Sequence, residues 1–344
     1  MIVVGIDPHK KTHTAVAVNA LTGETLSERT ITTDSHGHTQ LLDWARGLDA
    51  DRRFAVEDCR HVSGRLQRAL LDAGETVVRV APKLMARTRR SARERGKSDP
   101  IDARSVALAA LREPNLPTAH LAEDDLETKL LLDHREDLVQ ERSRIQQRLR
   151  WHLHELGLEA DVPAASLDRD VWVDRVARRL QREEQSTRVR IAREELARIR
   201  QLNRRVRELD REISQLVTAA HAELLTIPGC GALTAAKIAA EVAGIERFKS
   251  DAQLAMHAGV APLPCSSGNT QRHRLNRSGN RQLNLALHRI AITQGRCHEP
   301  AKLFLKKKES EGKSRREALR CLKRHLVRVV YNVMTNPTTA VGLT

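Results

Sequence analysis

MIVVGIDPHKKTHTAVAVNALTGETLSERTITT (residues 1–33) decides the fold of the N-terminal part. Ile2–Asp7 is a short apolar run of strand type. Thr12–Ala20 alternates apolar and polar positions and is rich in β-branched residues. Leu21–Glu24 reads as a turn, and alternation resumes after it. The stretch is a three-strand meander with Asp7 at the end of its first strand.

Working outward, a helix is expected around Gly37–Leu48, a strand over Arg53–Asp58 and an amphipathic helix over Val62–Gly74, closed by its glycine. A fifth strand, Thr76–Pro82, precedes a basic stretch and a helix from Pro100 to about Leu111. This is an α/β domain over 1–112. Glu113–Pro117 carries two prolines and reads as a linker. Beyond it the strand signal vanishes. Leu131, Leu138 and Ile145 recur every seven residues, and Ile199, Leu202, Val206, Leu209, Ile213 and Leu216 step by three and four. Asp161–Asp170 interrupts the two runs. They predict two long helices, packed antiparallel or against a partner chain, as a coiled-coil arm over 113–222. Such an arm suits a spacer, a dimerisation device or an RNA clamp. From 223 to 344 a mainly helical domain follows, opening with a helix, a glycine hairpin and a helix over Leu224–Val242.

Lys plus Arg is 59 against 44 Asp plus Glu, a net charge of +15 that calls for a polyanionic partner. Aromatics are 2%, which favours contact with duplex backbone over base stacking. The five cysteines form no C-x-x-C pair, so neither a disulfide framework nor a zinc site is expected. The histidine pairs His9/His13, His36/His38 and His152/His154 are read as surface or phosphate-contacting residues. No apolar run is long enough to span a membrane and the N-terminus is not a signal peptide, so a cytoplasmic, nucleoid-associated protein is expected.

Four carboxylates stand out. Asp7 and Glu57 end strands, and Asp99 and Asp102 share one face of a helix start. Gathered at one place they could not all stay ionised without a cation, and hard oxygen donors in that number favour Mg²⁺ or Mn²⁺. Each also has a plainer reading: Asp99-Pro100-Ile101-Asp102 has the form of a capping box, with Asp99 as N-cap. The basic stretch before it, Arg79 to Lys97, includes Arg87, Arg89, Arg90 and Arg93, placed to position phosphates.

In the C-terminal part, Gly229 and Gly231 of TIPGCG would let backbone approach a phosphate, or serve packing between helices. Gly259–Leu287 is a loop between helices, with Arg272, Arg274, Arg277 and Arg281 around Ser266 and Ser267. Either serine could expose its hydroxyl as a nucleophile, with guanidiniums to stabilise the transition state. Ordinary turn chemistry is the alternative.

GIDPHKKTHTAVAV, the Glu57 strand and KSDPIDARSVA (Lys97–Ala107) resemble the N-terminal domain of DEDD-type insertion-sequence transposases. That family is related to the Piv invertases and includes bridge-RNA-guided recombinases. IPGCG, GVAPLP, SSG and RSGNRQLNLAL resemble its C-terminal transposase domain, in order. The resemblance implies a RuvC/RNase H-like first domain with Asp7, Glu57, Asp99 and Asp102 as its metal-binding acids. It implies Ser267 as a nucleophile forming a 5′-phosphoserine, and Asn280 and Arg281 as phosphate contacts. It also implies donor and target double-stranded DNA, a non-coding bridge RNA and a tetramer of paired dimers. One departure is that Asp58-Cys59-Arg60-His61 follows Glu57 where many members have a small-Thr-Gly segment, which makes Asp58 the alternate acid. A RuvC-like nuclease using water, and a non-enzymatic RNA- or DNA-binding protein, are the rival readings.

Overall fold

The computed structural model describes residues 1–58, 60–82, 84–85, 88, 98–113, 116, 118–119, 123–265, 273–274, 276 and 279–336. The chain forms two compact units: Met1–Ala122 with Ala243–Leu287 and Leu303–Asn336, and Glu123–Val242 with His288–Lys302.

In the first unit β1 (Ile2–Pro8), β2 (Thr12–Asn19) and β3 (Thr25–Thr32) form the expected meander. The Asn19 side chain accepts from Leu21 N and Thr22 N, and Gly23 turns the chain at φ 71°. After α1 (Ser35–Leu48), β4 (Arg52–Glu57) pairs parallel with β1. α2 (Arg60–Asp72) then leads to β5 (Val77–Val80), parallel to β4. The sheet is mixed, in the order β3-β2-β1-β4-β5. Central β1 is buried along its whole length, which is why it reads as an apolar run rather than an alternating one. Its Ile2, Val4 and Ile6 pack with Leu41 and Leu66 of α1 and α2. Val3 packs on the other face with Ala103, Val106 and Ala107 of α3 (Asp99–Arg112).

The second unit is helical. α4 (Glu123–Glu155), α5 (Asp170–Arg182) and α6 (Thr187–Ala220) share one core, in which Ile145, Leu149 and Leu153 meet Val173, Val176, Leu180, Ile199 and Leu202. α4 and α6 run antiparallel. Their ladder pairs Arg135 with Asp210, Arg142 with Asn203, Arg148 with Glu195 and Arg188 with Glu155, so each step forward on one helix is a step back on the other. At about 1.5 Å per residue, each is roughly 50 Å long.

Three expectations need correction here. The interruption between the long helices itself contains α5, whose Val173, Val176 and Leu180 are buried. On α4 Ile145 is buried and Leu138 packs half-buried against the same core, as expected, but Leu131 is only half-buried while its neighbour Leu132 is buried. The stretch 223–344 is not one domain. α7 (Ala222–Leu225) and α8 (Ala232–Val242) belong with the long helices, because Lys129 binds Glu241 at 3.0 Å and Lys237 binds Glu136 at 2.9 Å.

The remainder of the first unit includes α9 (Asp251–His257) and the short pair β6 (Leu263–Pro264) and β7 (His273–Arg274). α10 (Arg281–Cys297) and α11 (Glu299–Ser310) are each divided between the units, and α12 (Arg315–Thr335) opens on a Ser314/Glu317 capping box. Lys323 Nζ donates to Asn284 Oδ1 at 2.8 Å, and Asn284 Nδ2 donates to Ala258 O at 2.8 Å. Among the described residues no helix is long and apolar enough to cross a membrane.

His13 and His38 are not surface residues. Both are buried, stacked at 5.9 Å between β2 and α1. Burial, then His38 and His9, holds the His13 imidazole down at about 4, and burial lowers His38 as well. Between the ordinary histidine value near 6.5 and 4, the unfolded chain therefore binds protons that the folded chain refuses. Stability is full above about pH 6.5 and falls as pH drops toward 4. Urea unfolding from pH 7 to pH 5 is expected to show about one proton taken up at this site on unfolding. His13→Leu should flatten that dependence, and an unchanged slope would remove His13 as its source.

Candidate active site

Parallel pairing sets Ile6 opposite Val56, so Asp7 and Glu57 leave β1 and β4 side by side at the same edge. Alternation aims Asp7 to the face of Val3 and Gly5, and Glu57 to the face of Ala55. That is the face α3 covers. The two elements touch through backbone: a Cβ on Gly5 would stand 2.2 Å from Ala103 O and 2.5 Å from Ala107 N. The first turn of α3 then carries Asp99 and Asp102 to the same edge.

The capping-box reading of that turn does not hold. Ser98, in extended conformation, is the N-cap, and Asp99 is already the first helical residue. Neither aspartate is there as the N-cap. Ser98 O accepts from Asp102 N at 3.0 Å.

Asp7, Glu57 and Asp102 are buried, while the Asp99 side chain is half-exposed. The Asp7 carboxyl is pushed up to about 6, first by burial. His9 opposes this, and Glu57, Asp102 and Asp99 add to it, so all four predicted carboxylates act at one place. The alternate acid, Asp58, is committed elsewhere: Arg79 Nη1 donates to its Oδ1 at 3.1 Å. That pair also accounts for Arg79, which the sequence had grouped with phosphate-positioning cations.

His9 is at the surface, as expected, but sequence reasoning missed that it faces the acids. Its Nδ1 lies 3.8 Å from Asp7 Oδ2 and 4.0 Å from Asp99 Oδ2. The available signal was its position, two residues past a strand-end aspartate. Gly5 was also passed over, although a glycine amid a buried apolar strand is the usual mark of a close backbone approach.

The donor set suits a divalent cation. Buried carboxylates concentrate negative charge where water cannot screen it, and hard oxygen donors match Mg²⁺ or Mn²⁺. Such a site polarises a phosphoryl oxygen and positions groups for in-line displacement.

The other predicted site residues divide. Arg87, Arg89, Arg90, Arg93, Lys97, Ser266, Ser267, Arg272 and Arg277 lie outside the described residues. Arg274 and Arg281 are exposed. Asn280 Oδ1 accepts from Gln282 N and Leu283 N at 3.0 Å, capping α10, so the residue expected at phosphate has a structural duty. Gly229, at φ 81°, packs against Thr293, whose Cβ would be 3.1 Å from an added methyl, and Gln294 Nε2 donates to Pro228 O at 2.7 Å. Packing, not an approaching phosphate, thus requires Gly229. Among the described residues nothing lies within 4 Å of a Cβ on Gly231.

Residues 4–157 match the family of DEDD transposases of the IS110 type, and residues 221–306 match the transposase IS116/IS110/IS902 family. The chain belongs to the DEDD-type insertion-sequence transposases. It is 29% identical to the "Insertion element IS116 uncharacterized 44.8 kDa protein" of Streptomyces clavuligerus, over 96% of this chain and 94% of that one. It is 30% identical to the "Pilin gene-inverting protein" of Moraxella bovis over 40% of this chain and 45% of that one. Among solved structures, Thermus thermophilus RuvC matches 35% of this chain and 100% of its own at 17% identity, with a TM-score of 0.28. This transposase is therefore a DNA-cutting enzyme, and Asp7, Glu57, Asp99 and Asp102 all lie in the first of the two matched regions.

The Gly5 contact gives a direct test of how the site is built. Gly5→Ala should cost about 2 kcal/mol or more in urea unfolding, because α3 must lift or the strand must shift. Gly47→Ala, in α1 with no described atom within 4 Å of the added methyl, should be neutral or stabilising by up to about 1 kcal/mol. Equal effects would show that the α3 contact imposes no constraint.

Proposed function

We propose that this transposase cuts and rejoins DNA at donor and target sites, using a Mg²⁺-binding (or Mn²⁺-binding) acidic site together with a serine nucleophile. The observation that carries the reading is the convergence of Asp7, Glu57, Asp99 and Asp102 on one edge of the sheet. A mixed sheet with its carboxylates at the strand ends also supports the finer assignment of this domain as RuvC-like. The divalent ion, when bound, neutralises charge on the phosphate under attack.

Ser267 is the proposed nucleophile. Its Oγ forms a bond to the phosphorus as the bond from phosphorus to the 3′-oxygen breaks. The serine proton passes to solvent or a neighbouring base, and the departing 3′-oxygen takes up a proton. The 5′-phosphoserine keeps the energy of the broken bond, so an incoming 3′-hydroxyl can reseal the strand by the reverse steps. Arg272, Arg274, Arg277 and Arg281 are proposed to hold the phosphate. Arg87, Arg89, Arg90, Arg93 and Lys97, with Gly231 and Asn280, would contact the backbone. What supports the serine is the match of the C-terminal region to a transposase family, and what supports strand exchange is the likeness to a gene-inverting protein. Guidance by a non-coding bridge RNA and assembly as a tetramer of paired dimers rest on the family resemblance, with the net charge of +15 suited to both nucleic acids.

The test is covalent trapping. The full chain, with co-purified RNA and Mg²⁺, is incubated with labelled DNA spanning the ends of its element, then denatured and mapped by mass spectrometry. An adduct is expected on Ser267, absent in Ser267→Ala. Asp7→Asn and Asp102→Ala should lower adduct formation on the order of a hundred- to a thousandfold. Cleavage without an adduct would replace this reading with a nuclease that uses water.

A further inference from the structure

The acidic site has a nitrogen at its edge. Pro8 ends β1, and the next residue, His9, is held in a tight turn by donation from its backbone N to Thr12 O at 2.9 Å. The turn leaves the ring half-exposed, with Nδ1 facing the Asp7 and Asp99 carboxylates at 3.8 and 4.0 Å. Both separations are too long for a hydrogen bond. They fall between the about 3.0 Å of adjacent donors and the about 4.2 Å of opposite ones in an octahedral shell with ligands at about 2.1 Å, so a shared ion would draw these donors closer together. One ligand atom from each of Asp7, His9 and Asp99 lies within 4.8 Å of the others.

A second observation points the same way. The Asp7 side chain is only 8% exposed. Among the described residues it accepts no hydrogen bond, although it lies beside Glu57, Asp99 and Asp102. A carboxylate so placed lacks the donors that normally accompany burial. A cation at this edge would satisfy it, and His9, which with Asp99 stands in one group around Asp7, could complete such a cation's shell.

We propose that His9 is a metal ligand, forming with Asp7 and Asp99 a mixed nitrogen–oxygen position that prefers Mn²⁺ to Mg²⁺. The proposal rests on the acidic site's binding a divalent ion, and it names the donor that sets the site's selectivity. Imidazole is a poor partner for Mg²⁺, which favours oxygen and water, and a better one for the later divalent metals. A histidine at this position thus discriminates between ions that an all-carboxylate site accepts nearly alike. A protonated His9 acting only as a counter-charge to Asp7 would give no such discrimination.

The test uses the full chain and Mn²⁺ alone, without DNA. Binding is followed by the loss of the free Mn²⁺ paramagnetic resonance signal, and the ligands are read by pulsed resonance for coupling to nitrogen. Mg²⁺ affinity comes from competition. The wild-type chain is expected to bind Mn²⁺ at least about tenfold more tightly than Mg²⁺ and to show nitrogen coupling. His9→Ala should lose the coupling and weaken Mn²⁺ about tenfold, leaving Mg²⁺ within about twofold. Unfolding curves should match those of the wild type, since the ring is half-exposed. Mn²⁺ binding that needs Asp7 but shows no nitrogen coupling, or coupling that persists in His9→Ala, overturns the assignment of His9 and leaves the acidic site intact. Absence of binding, or binding unchanged in Asp7→Asn, overturns the metal site itself.

Discussion

The backbone contact between β1 and α3 at Gly5 is the constraint on which the acidic site depends. The carboxylates come from three separate stretches of chain. Two are positioned by parallel strand pairing, which sets Asp7 beside Glu57. The other two arrive on a helix, and a helix can slide or tilt over a sheet unless something fixes its height. Here the carbonyl of Ala103 and the amide of Ala107 close on Gly5, with small side chains at Ala103 and Ala107 in the same contact. Alanine-lined packing brings the helix axis nearer the sheet than leucine or valine would allow. That depth places Asp102 in a buried position beside Asp7 instead of on the surface above it.

Bringing acids together in this way works against folding. With the Asp7 carboxyl raised to about 6, the folded chain holds a proton that the unfolded chain releases from about pH 4 upward. The cation-free fold therefore loses stability as pH rises through this range, and the loss is complete above 6. A bound divalent cation reverses the sign, because it favours the ionised form. The site is thus an electrostatic fault unless a cation fills it, as expected where stability yields to chemistry. The cost is carried by the surrounding packing. Ile6, Phe54 and Val56 are fully or almost fully buried behind the acids, and Val3, Val78 and Val80 line the opposite face.

Much of this was legible in the sequence, because it rests on local rules. Strand alternation, a continuous apolar run for β1 and the glycine-closed α2 gave every strand and helix of the N-terminal domain that the structure describes. The carboxylates could be grouped because strand ends and a helix start occur at recognisable places. What escaped depended on tertiary contact. His13 looks like any polar strand residue, and only the α1 face beneath it makes it buried. Asp99 has the composition of an N-cap, yet Ser98 one residue earlier can do the same, and local sequence does not choose between them. α5 was hidden by the proline and the polar residues before it, although Val173, Val176 and Leu180 had helical spacing. The division of 223–344 between the units was also invisible, since it turns on pairs such as Lys237 with Glu136, about a hundred residues apart in sequence.

The charge distribution acquires a different meaning once pairing is known. The long helices are dense in arginine, and the sequence alone makes them as attractive to a polyanion as the C-terminal part. In the structure Arg135, Arg148, Arg188, Arg198, Arg200 and Arg207 each face a carboxylate across the helical unit. Exposed pairs of this kind add little stability, about 0–1 kcal/mol each, but they set register and cancel charge. The uncancelled excess lies elsewhere. Residues 252–298 contain six arginines and no carboxylate, and Lys302–Arg328 contains eleven cations against three glutamates. Arg324 and Arg328 are drawn to Asp251, and Lys302, Lys308, Lys313 and Arg315 pair with the neighbouring Glu299, Glu311 and Glu309, which still leaves the cations in excess. Most of the net charge available to a phosphate backbone therefore lies in the C-terminal third of the chain. On the proposed function the acidic edge of the sheet needs such a source, since carboxylates alone repel a phosphate backbone.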